Sequence, residues 1–154
     1  MMLPAFSPDE IQTAETTRAA RLKWVVIVDR EVPPGRMVNA VACVAATTGA
    51  LVDGLVAGGG PDAAGVEHPG LPWAGCTVLA TSAEKLANAR AKAVAVDGML
   101  VVDMPLSAQT NRVYDGYLAE LAGTDPALLA AAAVSIVGDR ADVDAIVKRL
   151  SLLA

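Results

Sequence analysis

The sequence predicts an α/β protein, a three-layer α/β/α sandwich around a short, mixed, mostly parallel four-stranded sheet. Apolar β-branched runs alternate along the chain with helical patterns, the order that builds crossover units. The run Trp24 to Val28 is continuously apolar, as in a strand covered on both faces. Pro33-Pro34-Gly35-Arg36 then hands that strand over to an apolar helix within a few residues.

Taken in order, Ser7-Pro8-Asp9-Glu10 is a capping box with proline at the first helical position, and it predicts a helix from Pro8 to Arg21. Residues 1–22 therefore read as an N-terminal helical extension, and residues 23–154 as a single α/β domain. Trp24 to Val28 is the first strand, and Arg36 to Thr48 a core helix ending at Gly49, covered by the sheet and by a partner. Gly54 to Gly75, with Gly58-Gly59-Gly60-Pro61, predicts a long irregular excursion. A strand at Thr77 to Ala80 leads into Thr81-Ser82-Ala83-Glu84, a second capping box, and a helix to Ala95. Met99 to Asp103 is the third strand, closed by Pro105. Ser107 is positioned to cap a helix through Leu121, with a short helical piece at Pro126 to Ala131. Ala133 to Val137 is the fourth strand, and Asp139 caps a last helix ending in Lys148-Arg149.

With 54% hydrophobic but only 3% aromatic residues, the core must be packed from Ala, Val, Leu and Ile. A mean hydropathy of +0.45 leaves apolar surface to cover, which predicts a homodimer. Twelve Lys and Arg against seventeen Asp and Glu give a net charge of -5, which repels polyanions unless the cations gather on one face. They are spread along the chain, paired only at Arg18/Arg21 and Lys148/Arg149, so nucleic acid is not an expected partner. Cys43 and Cys76 fall in an apolar helix and an apolar strand, without the spacing of a zinc site or redox pair, and are expected as buried reduced thiols. The N-terminus lacks the pattern of a signal peptide, and no apolar run reaches the length that spans a bilayer. A cytoplasmic protein with no membrane partner is expected.

Candidate site residues cluster where strands end. Arg36, in the first turn of its helix, suits an anion or carboxylate clamp, or an ion-paired surface position. Asn39, one turn on, reaches the same crevice or is a satisfied core amide. Asp103 stands where carboxylates enter the crevices of open α/β sheets, or braces the turn that follows. Asp29-Arg30-Glu31, at the same edge, would compete for Arg36. Gln109, Asn111, Arg112 and Tyr114 lie on the helix after the third strand, facing either a pocket or solvent. Arg36, Asn39, Asp103, Gln109 and Asn111 make up the candidate ligand site, with Arg36 and Asp103 as the candidates for chemistry. His68 is the only histidine, in a loop, so neither a metal triad nor a Ser-His pair is built on it. The glycine runs fit neither the P-loop nor the dinucleotide pattern, and no cofactor and no metal are expected.

Three segments carry a family resemblance: KWVVIVDREVPPGRMVNAVACVAA at Lys23 to Ala46, LPWAGCTVLATSAEKLANARAKA at Leu71 to Ala93, and VSIVGDRADVDAIVKRL at Val134 to Leu150. In them the chain resembles the domain-of-unknown-function family 2000, a group with the fold of the type II peptidyl-tRNA hydrolases. The resemblance implies a dimer that needs no metal. It places the hydrolase turn lysine on Arg36 and the aspartate after the third strand on Asp103. Ala40 stands where the hydrolases have glutamine, Cys43 where they have histidine, and MPLSAQTN follows Asp103 in place of the hydrolase Ala-Gly-Arg-Thr-Gln run. A domain that binds a small ligand or a protein partner, without the usual hydrolase chemistry, is therefore the leading expectation. The alternative is a peptidyl-tRNA or aminoacyl-ester hydrolase in which Asp103 orients a water and Arg36 stabilises charge. A third is an interaction module that docks through the N-terminal helix.

Overall fold

Strand β1 (Leu22–Asp29) is the hub of the molecule, buried along its length except at Lys23. The structure, a computed structural model, describes residues 2–154. Pro33 ends the turn after β1 and presets the backbone for α1 (Pro34–Leu51), which runs past Gly49 by two residues. A small hairpin of β2 (Gly60–Pro61) and β3 (Glu67–His68) follows, then β4 (Thr77–Thr81), α2 (Ala83–Val94) and β5 (Leu100–Pro105). Helices α3 (Leu106–Thr110) and α4 (Tyr114–Ala122) precede the long strand β6 (Ala131–Asp139), and α5 (Arg140–Val147) and β7 (Ser151–Leu152) complete the chain.

The main sheet has five strands in the order β5-β6-β1-β4-β7. It is not mostly parallel. Only β1 and β4 pair in parallel, whereas β1 with β6, β5 with β6, and β4 with β7 are antiparallel. The alternation of strands and helices does hold for β1, β4 and β5, which all point the same way, but β6 comes back between β1 and β5 in the opposite direction. The fifth strand, β7, is too short for periodicity to reveal. It pairs through Leu79 with Leu152 and Ala80 with Ser151 on the outer edge of β4.

Each face of the sheet has its own core. Trp24, Val26 and Val28 of β1 meet Met37, Ala40 and Val44 of α1 on one side. Val25 and Ile27 meet Leu86, Ala89 and Ala93 of α2 and Val143 and Val147 of α5 on the other. The period-two alternation of a strand sorts these side chains. A three-layer α/β/α arrangement results, with the α1 layer supplemented by the N-terminal segment. Only one stripe of α1 is buried, Met37, Ala40, Val44 and Thr48, so its outer side, with Val38 69% exposed, faces away from the core.

One polar chain crosses the α1 face. Trp24 Nε1–H donates to Ser135 Oγ at 2.8 Å, and Ser135 lies 2.7 Å from Thr48 Oγ1, which reaches the Val44 carbonyl at 2.7 Å. Because the Thr48 hydroxyl proton goes to that carbonyl, Ser135 must donate to Thr48. Each hydroxyl thus gives one bond and receives one, which is how a buried polar row escapes a desolvation penalty.

The segment before β1 does not form the helix predicted from Pro8 to Arg21. Two 3-10 turns, Pro8–Glu10 and Thr17–Ala19, stand in its place. The capping contact itself is real, since Ser7 N–H donates to Glu10 Oε2 at 2.9 Å. What interrupts the helix is tertiary packing. Phe6 is buried against Trp73, with ring centroids 4.8 Å apart, and Ala20 is buried at the foot of β1. Arg21 holds the segment down, donating to Glu10, to Asp139 and to the Ala5 carbonyl. The Arg21 hydrogen bond is the main reason the Glu10 carboxyl falls from 4.5 to about 2. A depressed carboxyl pKa contributes stability above the unfolded value and loses it as pH falls through the folded one. Docking of residues 2–20 is therefore expected to weaken between pH 4.5 and about 2, and Glu10→Gln to remove that acid dependence. Tryptophan fluorescence, reporting the Phe6 and Trp73 contact, is the check, and an unchanged acid profile in the variant would refute it.

Two helix boundaries also differ from expectation. Ser82 rather than Thr81 is the N-cap of α2, its Oγ accepting from Lys85 N–H at 3.4 Å. The helix expected from Ser107 to Leu121 is split, because Asn111 Oδ1 accepts the Val113 N–H at 3.1 Å and turns the backbone out of the helix. The excursion from Gly54 to Gly75 is folded back on itself by the β2–β3 pairing and a bridge between Val56 and Pro72. Glycine is required at its waist. A Cβ on Gly70 would lie 1.6 Å from the Ala57 carbonyl oxygen, and one on Gly59 1.8 Å from that of His68. Among the described residues no helix is long and apolar enough to cross a membrane.

Candidate functional site

The carboxyl ends of β1, β4 and β5 lie along one edge of the sheet, where α1 and α3 begin, as the crevice argument requires. The five candidate residues form two groups there. In the first, Gln109 on α3 donates through Nε2 to the Arg36 carbonyl at 2.7 Å and to Asn39 Oδ1 at 3.1 Å. This ties the start of α1 to α3. Gln109 Oε1 is buried without a hydrogen-bond partner. Asn39 is thus neither a core amide nor free. The Arg36 side chain is exposed and, among the described residues, forms no ion pair. Asp29 does not compete for it, because its Oδ1 accepts the Glu31 N–H at 3.0 Å.

The second group lines a cleft of about 480 Å³ between α1, β5 and α4. Asp103 and Asn111 belong to it, whereas Arg36, Asn39 and Gln109 do not. Of the sequence-predicted pair Arg36 and Asp103, only Asp103 lines this cleft. Asp103 lies inside β5 rather than at its end, and its carboxylate is engaged by Arg90 Nε of α2. That carboxylate is thus already committed to an ion pair within the fold. Nothing in the sequence around Arg90 marks it as that partner.

The rest of the cleft is aromatic and apolar. Tyr114 and Tyr117 meet edge to face, centroids 5.6 Å apart, opposite Cys43 and Thr47 of α1. Burial, then the Asp103 carboxylate, then Tyr114, push the Tyr117 phenol upward, so it stays protonated and able to donate. Arg112 adds a cation at the rim with no ion pair among the described residues. The break at Asn111 is what swings these rings over the cleft, and a helix continuous from Ser107 would point them elsewhere. Tyr117 and Thr47 were not legible as site residues, since each sits in an ordinary helical pattern.

Both cysteines are exposed, which corrects the expectation of buried thiols. Cys43 precedes Val44 of the buried stripe and so faces the cleft rather than the sheet. Cys76 immediately precedes β4, and although part of the residue is exposed, the protein atoms packed around its sulfur desolvate the thiolate and push the thiol up to about 12, a poor nucleophile. His68 lies on the hairpin, exposed, its Nε2 3.4 Å from Asp62 Oδ2 and away from the cleft. Among the described residues, no group of three His, Cys, Asp or Glu is arranged to hold a metal ion.

A family described as Protein of unknown function (DUF2000) matches residues 22–154. The chain belongs to that family. The DUF2000 match starts where β1 starts and takes in every residue of the cleft. In structure, the chain is similar to a protein of unknown function from Agrobacterium tumefaciens, at a TM-score of 0.75 and 19% identity, covering 87% of this chain and 98% of that one. The likeness extends to the fold. No curated protein matches the sequence.

Proposed function

We propose that this DUF2000 chain is a small-molecule-binding domain of the peptidyl-tRNA hydrolase II-like class, working as a cytoplasmic homodimer without hydrolase chemistry of its own. The observation that carries the reading is the cleft beside Asp103, where two tyrosine rings and the unpaired Arg112 stand over an apolar floor of Val44, Val102 and Met104. Rings with a cation at the rim suit a flat apolar body bearing a carboxylate. The absence of chemistry is supported by the engagement of Asp103 with Arg90, and by Ala40 and Cys43 at the positions where the resembling hydrolases carry polar groups. The homodimer is supported by apolar side chains left outside, Val38 at 69%, Val113 at 65% and Leu128 at 77% exposure.

Saturation-transfer NMR with benzoate and naphthoate tests the cleft. Contact signals are expected with the wild-type protein and are expected to disappear in Tyr117→Ala. Signals that persist in the variant would place binding elsewhere. Incubation with labelled peptidyl-tRNA at low salt is expected to give no turnover. Turnover lost in both Arg36→Ala and Asp103→Asn would instead establish the hydrolase alternative.

A further inference from the structure

Away from the aromatic cleft, on the outer surface where α2 and α5 lie side by side, is a groove of about 440 Å³. Lys85 and Lys92 line it from α2, and Lys148 and Arg149 from the end of α5, with Asn88 between them and Ile146 on its floor. No Asp or Glu lines it. Among the described residues, none of the four cations makes an ion pair, and all four are exposed. One third of the twelve Lys and Arg is thus gathered in one place in a chain of net charge -5.

Helix dipoles account for part of the arrangement. Lys92 lies in the last turn of α2, and Lys148 and Arg149 follow α5, where cations are favoured. Lys85 is the exception. It stands three residues after the N-cap Ser82, where the dipole favours anions and disfavours a cation. The dipole therefore does not account for a lysine there, and its unpaired charge is free to meet an anion. Lys85 and Lys92 are two helical turns apart, about 10 Å along the axis, a span that long lysine side chains bridge around one compact ligand.

We propose that the α2–α5 groove binds a compact polyphosphate, that is, a small molecule carrying several adjacent phosphate groups. Four unpaired cations match three or four closely spaced negative charges, and ammonium groups bind phosphate as point charges without demanding planar geometry. The same charge balance decides against an extended polyanion. With four cations withdrawn into the groove, the remaining surface is more acidic than the whole chain, and a strand running beyond the groove meets repulsion. The groove also offers no aromatic ring on which a nucleobase would stack.

Calorimetric titration with sodium tripolyphosphate, sodium sulfate and a single-stranded RNA oligonucleotide at physiological salt tests the site. Tripolyphosphate is expected to bind more tightly than sulfate, and the Lys85→Gln/Lys148→Gln double variant to bind it at least about tenfold more weakly. The substituted side chains are exposed, so the variant is expected to melt with the wild type. Arg18→Gln, a cation of a different surface cleft, is expected to leave the affinity unchanged. Absence of tripolyphosphate binding, an equal loss in Arg18→Gln, or tighter binding of the RNA would each overturn the proposal.

Discussion

Replacing Ile27 by alanine is expected to cost about 2–5 kcal/mol of folding stability, the range for emptying a fully buried aliphatic site. Ile27 has no exposed surface and sits at the centre of a row across the sheet, between Leu79 of β4 and Val134 of β6. Leu86 and Val143 cover the same apolar layer from α2 and α5. Two helices anchored to neighbouring strands have little freedom to collapse into the gap, which favours the upper part of that range. Urea unfolding measures it through the transition midpoint at constant slope. A loss below about 1 kcal/mol would mean that α2 or α5 relaxes onto the sheet, and that this layer is more plastic than its burial suggests.

The second large effect is expected at Ser135. Ser135→Ala removes the acceptor of the Trp24 indole N–H and the donor to Thr48, leaving a buried polar group unpaired at a cost of about 1–3 kcal/mol. The diagnostic is the double variant. Trp24→Phe deletes the stranded N–H, so its cost and that of Ser135→Ala are expected to sum to more than the loss in the pair. Urea unfolding of the four proteins in this cycle gives the coupling. Strict additivity would show that the indole N–H does not depend on Ser135.

Particular residues explain what the sequence made legible. The run from Trp24 to Val28 and the Pro33-Pro34 turn read correctly as strand and helix start, because both signals are local and strong. Ser7 and Glu10 form their capping contact, yet the helix they announce does not propagate, since burying Phe6 and Ala20 outweighs a few residues of helix propensity. Ala131 reads as the end of a helical piece and Ala132 falls between elements, but pairing of Ala131 with Pro105 and burial of Ala132 on the α1 face start the strand two residues before Ala133. The common direction of β1, β4 and β5 followed from their alternation with helices, but the reversal of β6 was not legible, because alternation reports the type of each element and not its orientation. Of the candidate residues, Asp103 and Asn111 line the same cleft, although Asp103 lies inside β5 rather than after it. Arg90 beside Asp103, and Gln109 against Asn39, are contacts between elements remote in sequence, which no local pattern encodes.

The place of β6 governs the order in which the molecule can be assembled. Residues 131–139 fill the gap in the sheet between β1 and β5, although they are synthesised after both of those strands and after β4. Until they arrive, β1 has an open flank beside its most apolar residues, and β5 has no neighbour in the sheet. Closure of the β1–β6 ladder joins Leu22 to Asp139, among the longest-range pairings in the chain, so its loop entropy weighs on the folding rate. Nascent chains that have not yet reached Ala131 therefore carry an unfilled gap beside β1, the exposed-edge condition under which chaperones are most needed.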